Sequence, residues 1–169
     1  RVLLLYSGVR QRARRGADTR GLETLGAPLN LEIAPAQEAD LPVASEILTE
    51  AACWLIERGE PLWRPEDLGA ELLRPLVETG TLHLARDGDE TVGTIVLQWE
   101  DRLFWPDLPV AESAFIHRLA VRRRWAGSGV AAALMDWAAL RAREAGRSWL
   151  RLDCSARHEG LARYYEAAG

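Results

Sequence analysis

Residues 121–131 read Val121-Arg122-Arg123-Arg124-Trp125-Ala126-Gly127-Ser128-Gly129-Val130-Ala131. An apolar strand ends at Val121, a glycine-bearing loop follows, and a long helical pattern opens behind it. The first N–H groups of a helix have no partner inside it, and the helix dipole adds positive potential at the same place. Glycines at 127 and 129 let the backbone come close to an anion. This pattern fits a pyrophosphate cradle, with Arg122, Arg123 and Arg124 at hand for a third phosphate. A glycine-rich helix cap beside a solvated arginine run is the plainer reading, and the loop alone does not decide between them.

The chain around the loop is an alternation of strands and helices. Upstream, Ala114 to Val121 reads as a strand, with Phe115, His117, Leu119 and Val121 on one face. Before it, Thr81–Arg86 and Thr91–Trp99 alternate with period two around Asp87-Gly88-Asp89-Glu90, a hairpin turn. Two helices precede them. One opens at Glu38-Ala39-Asp40-Leu41, carries Leu41, Ala44, Ile47, Leu48, Ala51 and Leu55, and stops at Gly59. The other runs from Pro65 to Glu78 with Leu68, Leu72, Leu73 and Leu76 as its stripe. Leu31–Ala34 is a short strand closed by Pro35. Downstream, Gly127–Ala145 is the longest helix, Ser148–Asp153 a strand and Leu161–Ala168 a last helix. The order β α α β β β α β α, without internal repeat, implies a sheet covered by helices.

Two other phosphate-binding classes use such loops. A Walker loop needs Gly-Lys-Ser/Thr, and the chain has no lysine. Gly127-Ser-Gly129-Val-Ala-Ala132 does satisfy the dinucleotide pattern Gly-x-Gly-x-x-Ala, with Asp153 at the end of the next strand. Against it, five residues separate Val121 from Gly127 where the nucleotide fold turns tightly, and only 16 residues follow Asp153.

On these residues the sequence resembles the GNAT acetyltransferase superfamily. Leu119-Ala120-Val121 matches that family's Leu-x-Val strand end, and Gly127-Ser128-Gly129-Val130-Ala131 its loop. Ala126 stands where the family usually has Arg or Gln, and Arg124 is the nearby residue able to compensate. Further on, Tyr165 and Gly169 fall at the spacing of the family's Asn-x-x-Ala-x-x-x-Tyr-x-x-x-Gly, with His158 replacing Asn. The resemblance covers roughly residues 30–169. It implies an α/β (α+β) fold: a mixed, largely antiparallel sheet flanked by helices, its two parallel central strands splayed to admit acetyl-CoA. It also implies acetyl transfer from acetyl-CoA to a primary amine of a small molecule or peptide. The backbone of Leu119, Ala120 and Val121 would pair with the cofactor's amide-bearing arm. Arg124 and the run Ala126, Gly127, Ser128, Gly129, Val130, Ala131 would hold its phosphates, with His158 at the arm. No metal is called for.

Tyr165 is the expected catalytic residue. Attack of an amine on a thioester ends in expulsion of a thiolate, and a phenol with an ordinary pKa of about 10 holds a proton to give it. No nucleophile–base pair for a covalent route is evident. A base for the amine is sought among Glu100, Glu112 and His117, on or near the central strands. The resemblance puts acceptor recognition in the loop Glu57–Trp63, where Trp63 walls the site and Glu60 offers a charge; Glu112 is the other residue assigned to the acceptor. The rival readings are a non-catalytic acyl-CoA-binding domain, prompted by Ala126 and His158, and a dinucleotide-binding fragment.

Composition narrows the setting. The 169 residues are 48% apolar and 27% charged, the balance of one globular domain. No apolar run reaches the roughly 20 residues that span a bilayer, so a cytoplasmic protein without a membrane partner is expected. Residues 1–30 hold six arginines against Asp18 and Glu23, while the rest holds 15 basic against 23 acidic residues. That acidic body disfavours nucleic acid as partner and suits an amine. A homodimer is compatible with the sequence. Residues 1–29 read as a flexible basic extension and 30–169 as the acetyltransferase domain. The chain stops where the resemblance calls for a closing strand, which would leave the edge of the strand ending at Asp153 without its usual cover. Cys53 and Cys154 match no metal or redox spacing and read as small buried residues.

Overall fold

The computed structural model describes residues 2–6, 29–107 and 111–154. The elements are β1 (Val2–Tyr6), β2 (Leu31–Pro35), α1 (Leu41–Glu57), α2 (Ala70–Glu78), β3 (Leu82–Asp87), β4 (Glu90–Gln98), β5 (Ser113–Val121), α3 (Val130–Glu144) and β6 (Trp149–Cys154). They build one six-stranded sheet in the order β1-β6-β5-β4-β3-β2. Every neighbouring pair is antiparallel except β5 and β6. That exception needs a crossover, and α3 supplies it.

The helices cover both faces of the sheet. Ile95, Leu97, Ala114, Ile116, Leu150 and Leu152 pack under Val130, Leu134, Met135 and Ala138 of α3. On the other face, Leu82, Leu84, Val96 and Ala120 meet Ala44, Ile47, Leu48 and Ala52 of α1 and Leu73 of α2. Of the apolar stripe predicted for α1, Leu41, Ala44, Ile47 and Leu48 are buried, while Ala51 and Leu55 are half-buried and Ala52 takes the buried place in the later turns. The predicted helix Pro65–Glu78 is divided instead. Pro65–Leu68 is a 3-10 turn, and Gly69, in extended conformation, separates it from α2.

Two expectations change at the sheet's outer strand and at a cysteine. Residues 2–6, placed outside the folded domain by sequence, form a strand in register with β6 from Val2↔Cys154 to Tyr6↔Leu150. The edge of β6 expected to lack a cover is thus occupied. Cys53 is exposed rather than buried, because α1 turns it away from the Ala52 side that packs on the sheet. Among the described residues, no helix is long and apolar enough to cross a membrane.

Candidate active site

The parallel pairing of β5 with β6 begins at Ser113↔Trp149 and ends at Ile116↔Leu152. Beyond it, His117–Val121 continue β5 with no described partner on that side. Leu119, Ala120 and Val121, singled out from sequence, all lie in this parted segment. The other side of the segment stays attached to β4 through Gly93↔Val121, Thr94↔Ala120 and Val96↔His117. Two steps along β4 therefore match three along β5, so β5 carries one extra residue. Arg118 takes up the irregularity at φ +49°, alone among the described non-glycine residues in having a positive φ. Its carbonyl accepts a 3.0 Å hydrogen bond from Thr94 Oγ1.

This bulge corrects the single face predicted for β5. Phe115 and His117 lie beside Trp105 and Phe104, whereas Leu119 and Val121 pack on the α3 side. An inserted residue shifts the alternation by one, so the two halves of β5 present odd-numbered residues to opposite faces.

From Val121 the chain passes into the loop, which is braced from several directions. Arg122 N–H reaches the Val92 carbonyl at 2.9 Å. The Arg122 guanidinium bonds the Thr91 carbonyl, Glu50 and Glu46 at 3.1, 3.3 and 3.1 Å. Glu50 also accepts the Arg123 N–H at 2.6 Å, and the Arg123 guanidinium lies 3.7 Å over the Trp54 ring. Glu90 accepts from Arg124 Nε at 2.8 Å and from Trp125 Nε1 at 2.6 Å. The Arg124 bond, then the Trp125 bond, hold the Glu90 carboxyl below its ordinary pKa. Each of the three arginines is thus engaged in holding the loop.

The braces leave the turn itself open. Gly127 and Gly129 adopt φ +78° and +96°, so α3 begins at Val130 rather than at Gly127 as predicted. Gly129 is its N-cap, without a side-chain cap. The Ser128 hydroxyl is turned inward, donating to the Trp125 carbonyl at 2.6 Å. Among the described residues, the N–H groups of Gly127, Gly129, Val130 and Ala131 meet no acceptor. A Cβ added at Gly127 would point into open space. Unpaired amides at the head of a 15-residue helix, with room before them, fit a diphosphate.

Gly93 seats this helix start against the sheet. A Cβ there would meet the Ala120 carbonyl oxygen and Leu134 Cδ1 at 3.1 Å and Val130 Cγ1 at 3.3 Å. The first of these neighbours is backbone of the parted segment and cannot move aside cheaply. Gly93→Ala is expected to cost about 1–3 kcal/mol by overpacking, read as a thermal shift of roughly 2–4 °C per kcal/mol for a chain of this size. An unchanged melting temperature would show that the contact is slack.

The remaining predicted residues divide by position. Trp63 follows α1 and is half-buried against the α1, α2 and sheet cluster that contains Ala120. Glu112 precedes Ser113, at the end of β5 away from Val121, and its carbonyl accepts from Ser148 and Trp149. Glu100 pairs with Arg102. His117 Nε2 lies 3.1 Å from Asp101 Oδ2, and Asp101 Oδ1 accepts the Leu103 and Phe104 N–H groups. Tyr165, His158 and the predicted helix Leu161–Ala168 lie outside the described residues. Sequence reasoning missed Glu46, Glu50 and Trp54. The signal was present: two glutamates four apart repel on a helix surface, which calls for a cation from elsewhere.

Residues 46–169 match the acetyltransferase (GNAT) family. The chain belongs to that family. The uncharacterized N-acetyltransferase YesJ of Bacillus subtilis is 30% identical over 142 residues, covering 80% of this chain and 78% of that protein. Among solved structures, a GNAT-family acetyltransferase from Listeria monocytogenes superposes with a TM-score of 0.70 at 22% identity, over 82% of this chain and 85% of that one. The PaiA N-acetyltransferase from Thermoplasma acidophilum, solved in complex with coenzyme A, gives 0.66 at 16% identity, over 82% and 89%. The sheet with one parallel pair parting beside a helix start is thus the GNAT fold, and the GNAT family uses acetyl-CoA as acyl donor.

Proposed function

We propose that this GNAT domain transfers the acetyl group of acetyl-CoA to a primary amine of a small molecule or peptide, in the cytoplasm where acetyl-CoA is available. The reading rests on one observation: four amides at the head of α3 that meet no acceptor among the described residues adjoin the segment of β5 that has left β6. Gly127, Gly129, Val130 and Ala131 offer those amides to the pyrophosphate. Leu119, Ala120 and Val121 offer strand-edge groups to the amide-bearing arm, as an added strand would be held. An amide of the same segment stabilises the oxyanion.

Bound there, acetyl-CoA supplies an activated acetyl thioester. The free amine attacks it directly, forming the amide bond as the carbon–sulfur bond breaks. Tyr165 gives its phenolic proton to the departing sulfur, and the amine's surplus proton passes to a base or to water. Trp63 forms part of the wall on the acceptor's side. Arg124, committed to Glu90, contributes to phosphate binding through the loop it steadies and by its charge.

The test has two stages. At 100 times Kd a ligand stabilises by about 2.7 kcal/mol, so acetyl-CoA and CoA should raise the melting temperature by several degrees while NAD does not. Thiol release with a panel of amines should then follow. Binding without amine-dependent release would mark a non-catalytic acyl-CoA-binding domain, and a preference for NAD would mark a dinucleotide site.

A further inference from the structure

The bulge on β5 holds an arginine that neither the phosphate cradle nor the arm-binding strand edge uses. Arg118 sits two residues past Ile116, the last β5 residue paired to β6, at the point where the two strands begin to separate. Its positive φ is unfavourable for a residue with a Cβ, and such strain persists where the surroundings enforce it, often at functional sites. Its guanidinium also stands apart. Among the described residues, the other partly buried arginines all have company. Arg74, Arg86, Arg122 and Arg151 bond to polar side chains, and Arg123 and Arg147 lie over tryptophan rings. Arg118 makes no side-chain hydrogen bond and no ion pair with any described residue. Burial draws its pKa down, and Asp67, acting at longer range, draws it up.

The register tells which face Arg118 occupies. Leu119 and Val121 pack on the α3 side and Ala120 on the α1 and α2 side. Arg118, two residues from Ala120, therefore lies on the face opposite α3, the face that also carries the 3-10 turn Pro65–Leu68 with Asp67. The pyrophosphate amides belong to α3, so Arg118 is on the side left to the acceptor, as is Trp63. We infer that Arg118 binds a carboxylate of the acceptor, so that the amine acetylated here is an aminocarboxylate. This rests on the acetyl-transfer reading above. A partly desolvated guanidinium with no ion pair among the described residues is costly, and a carboxylate satisfies it with two parallel N–H···O bonds. Asp67, which makes no ion pair with it, leaves that fork available.

The test uses alanine, phenylalanine and glutamate beside their α-carboxamides, which keep the amine and lose the charge. The wild-type protein should favour the free acids by about 10²-fold in kcat/KM, the order expected of hydrogen bonds to a charged group. Arg118→Gln should remove that preference, raising KM for the acids and leaving the amides within about threefold. Arg118→Lys should restore part of it, as a point charge without the fork. Arg118→Asn, which tolerates a positive φ, guards against misfolding as the cause. Equal use of acids and amides by the wild type, or equal losses on both in Arg118→Gln, would overturn the inference. Direct titration of the two acceptor sets in the presence of CoA reads the same preference without turnover. Failure of every acceptor to release thiol, with the acids still bound more tightly, would sink the transfer reading while leaving Arg118 as a carboxylate-binding residue.

Discussion

Tyr165→Phe is expected to lower kcat by about 10²–10³-fold while leaving the affinity for CoA within about twofold. General-acid catalysis by a placed side chain contributes roughly 10²–10⁴-fold. Phenylalanine keeps the ring and removes only the proton that the proposed mechanism gives to sulfur. The loss should therefore fall on kcat, because in that role the hydroxyl acts when the carbon–sulfur bond breaks and not when the donor binds. Steady-state kinetics with a saturating amine, paired with a CoA titration, separates the two. A kcat unchanged within threefold would remove Tyr165 from the chemistry.

Gly129→Val should weaken CoA binding by about 10²-fold. At φ +96° this residue holds a conformation closed to β-branched side chains, and the strain is of order 1–3 kcal/mol. The space itself is not crowded, since the nearest atom to an added Cβ is Leu29 Cδ1 at 3.7 Å. The backbone must therefore change, and with it the aim of the Val130 and Ala131 amides. Gly146→Val provides the control: φ is +70° there, past the far end of α3, so the strain is similar and the loop is untouched. Both variants should melt lower, and only Gly129→Val should lose CoA. Similar affinities in the two would place the phosphates elsewhere.

Much of this fold was legible because local signals agreed with the tertiary structure. The α1 stripe, the Asp87-Gly88 hairpin and the strand–loop–helix at Val121 each combined pattern with turn chemistry. The start of α3 was misplaced by three residues because the glycines serve the loop, and a helical pattern does not reveal a positive φ. The bulge at Arg118 was invisible for a related reason: Phe115, His117, Leu119 and Val121 alternate cleanly in sequence, and only pairing with β4 shows that one residue is extra. β1 escaped because its partner stands about 150 positions away and an arginine-rich stretch follows it. At the candidate site the glycine loop was legible, since it is contiguous in sequence, whereas the parting of β5 from β6 was implied by the family resemblance. Glu46 and Glu50, four apart, signalled a missing cation, but the clamp could not be completed from sequence because its cations come from a distant loop.

The pairing of β1 with β6 bears on how the polypeptide is made. During synthesis Val2–Tyr6 leaves the ribosome well before residues 149–154 exist, so an apolar run of Val-Leu-Leu-Leu-Tyr must wait without its hydrogen-bonding mate. Registers this distant form late, and a waiting segment of that character invites intermolecular association. The interval between the two emergences is where a chaperone would matter most to the yield of this protein.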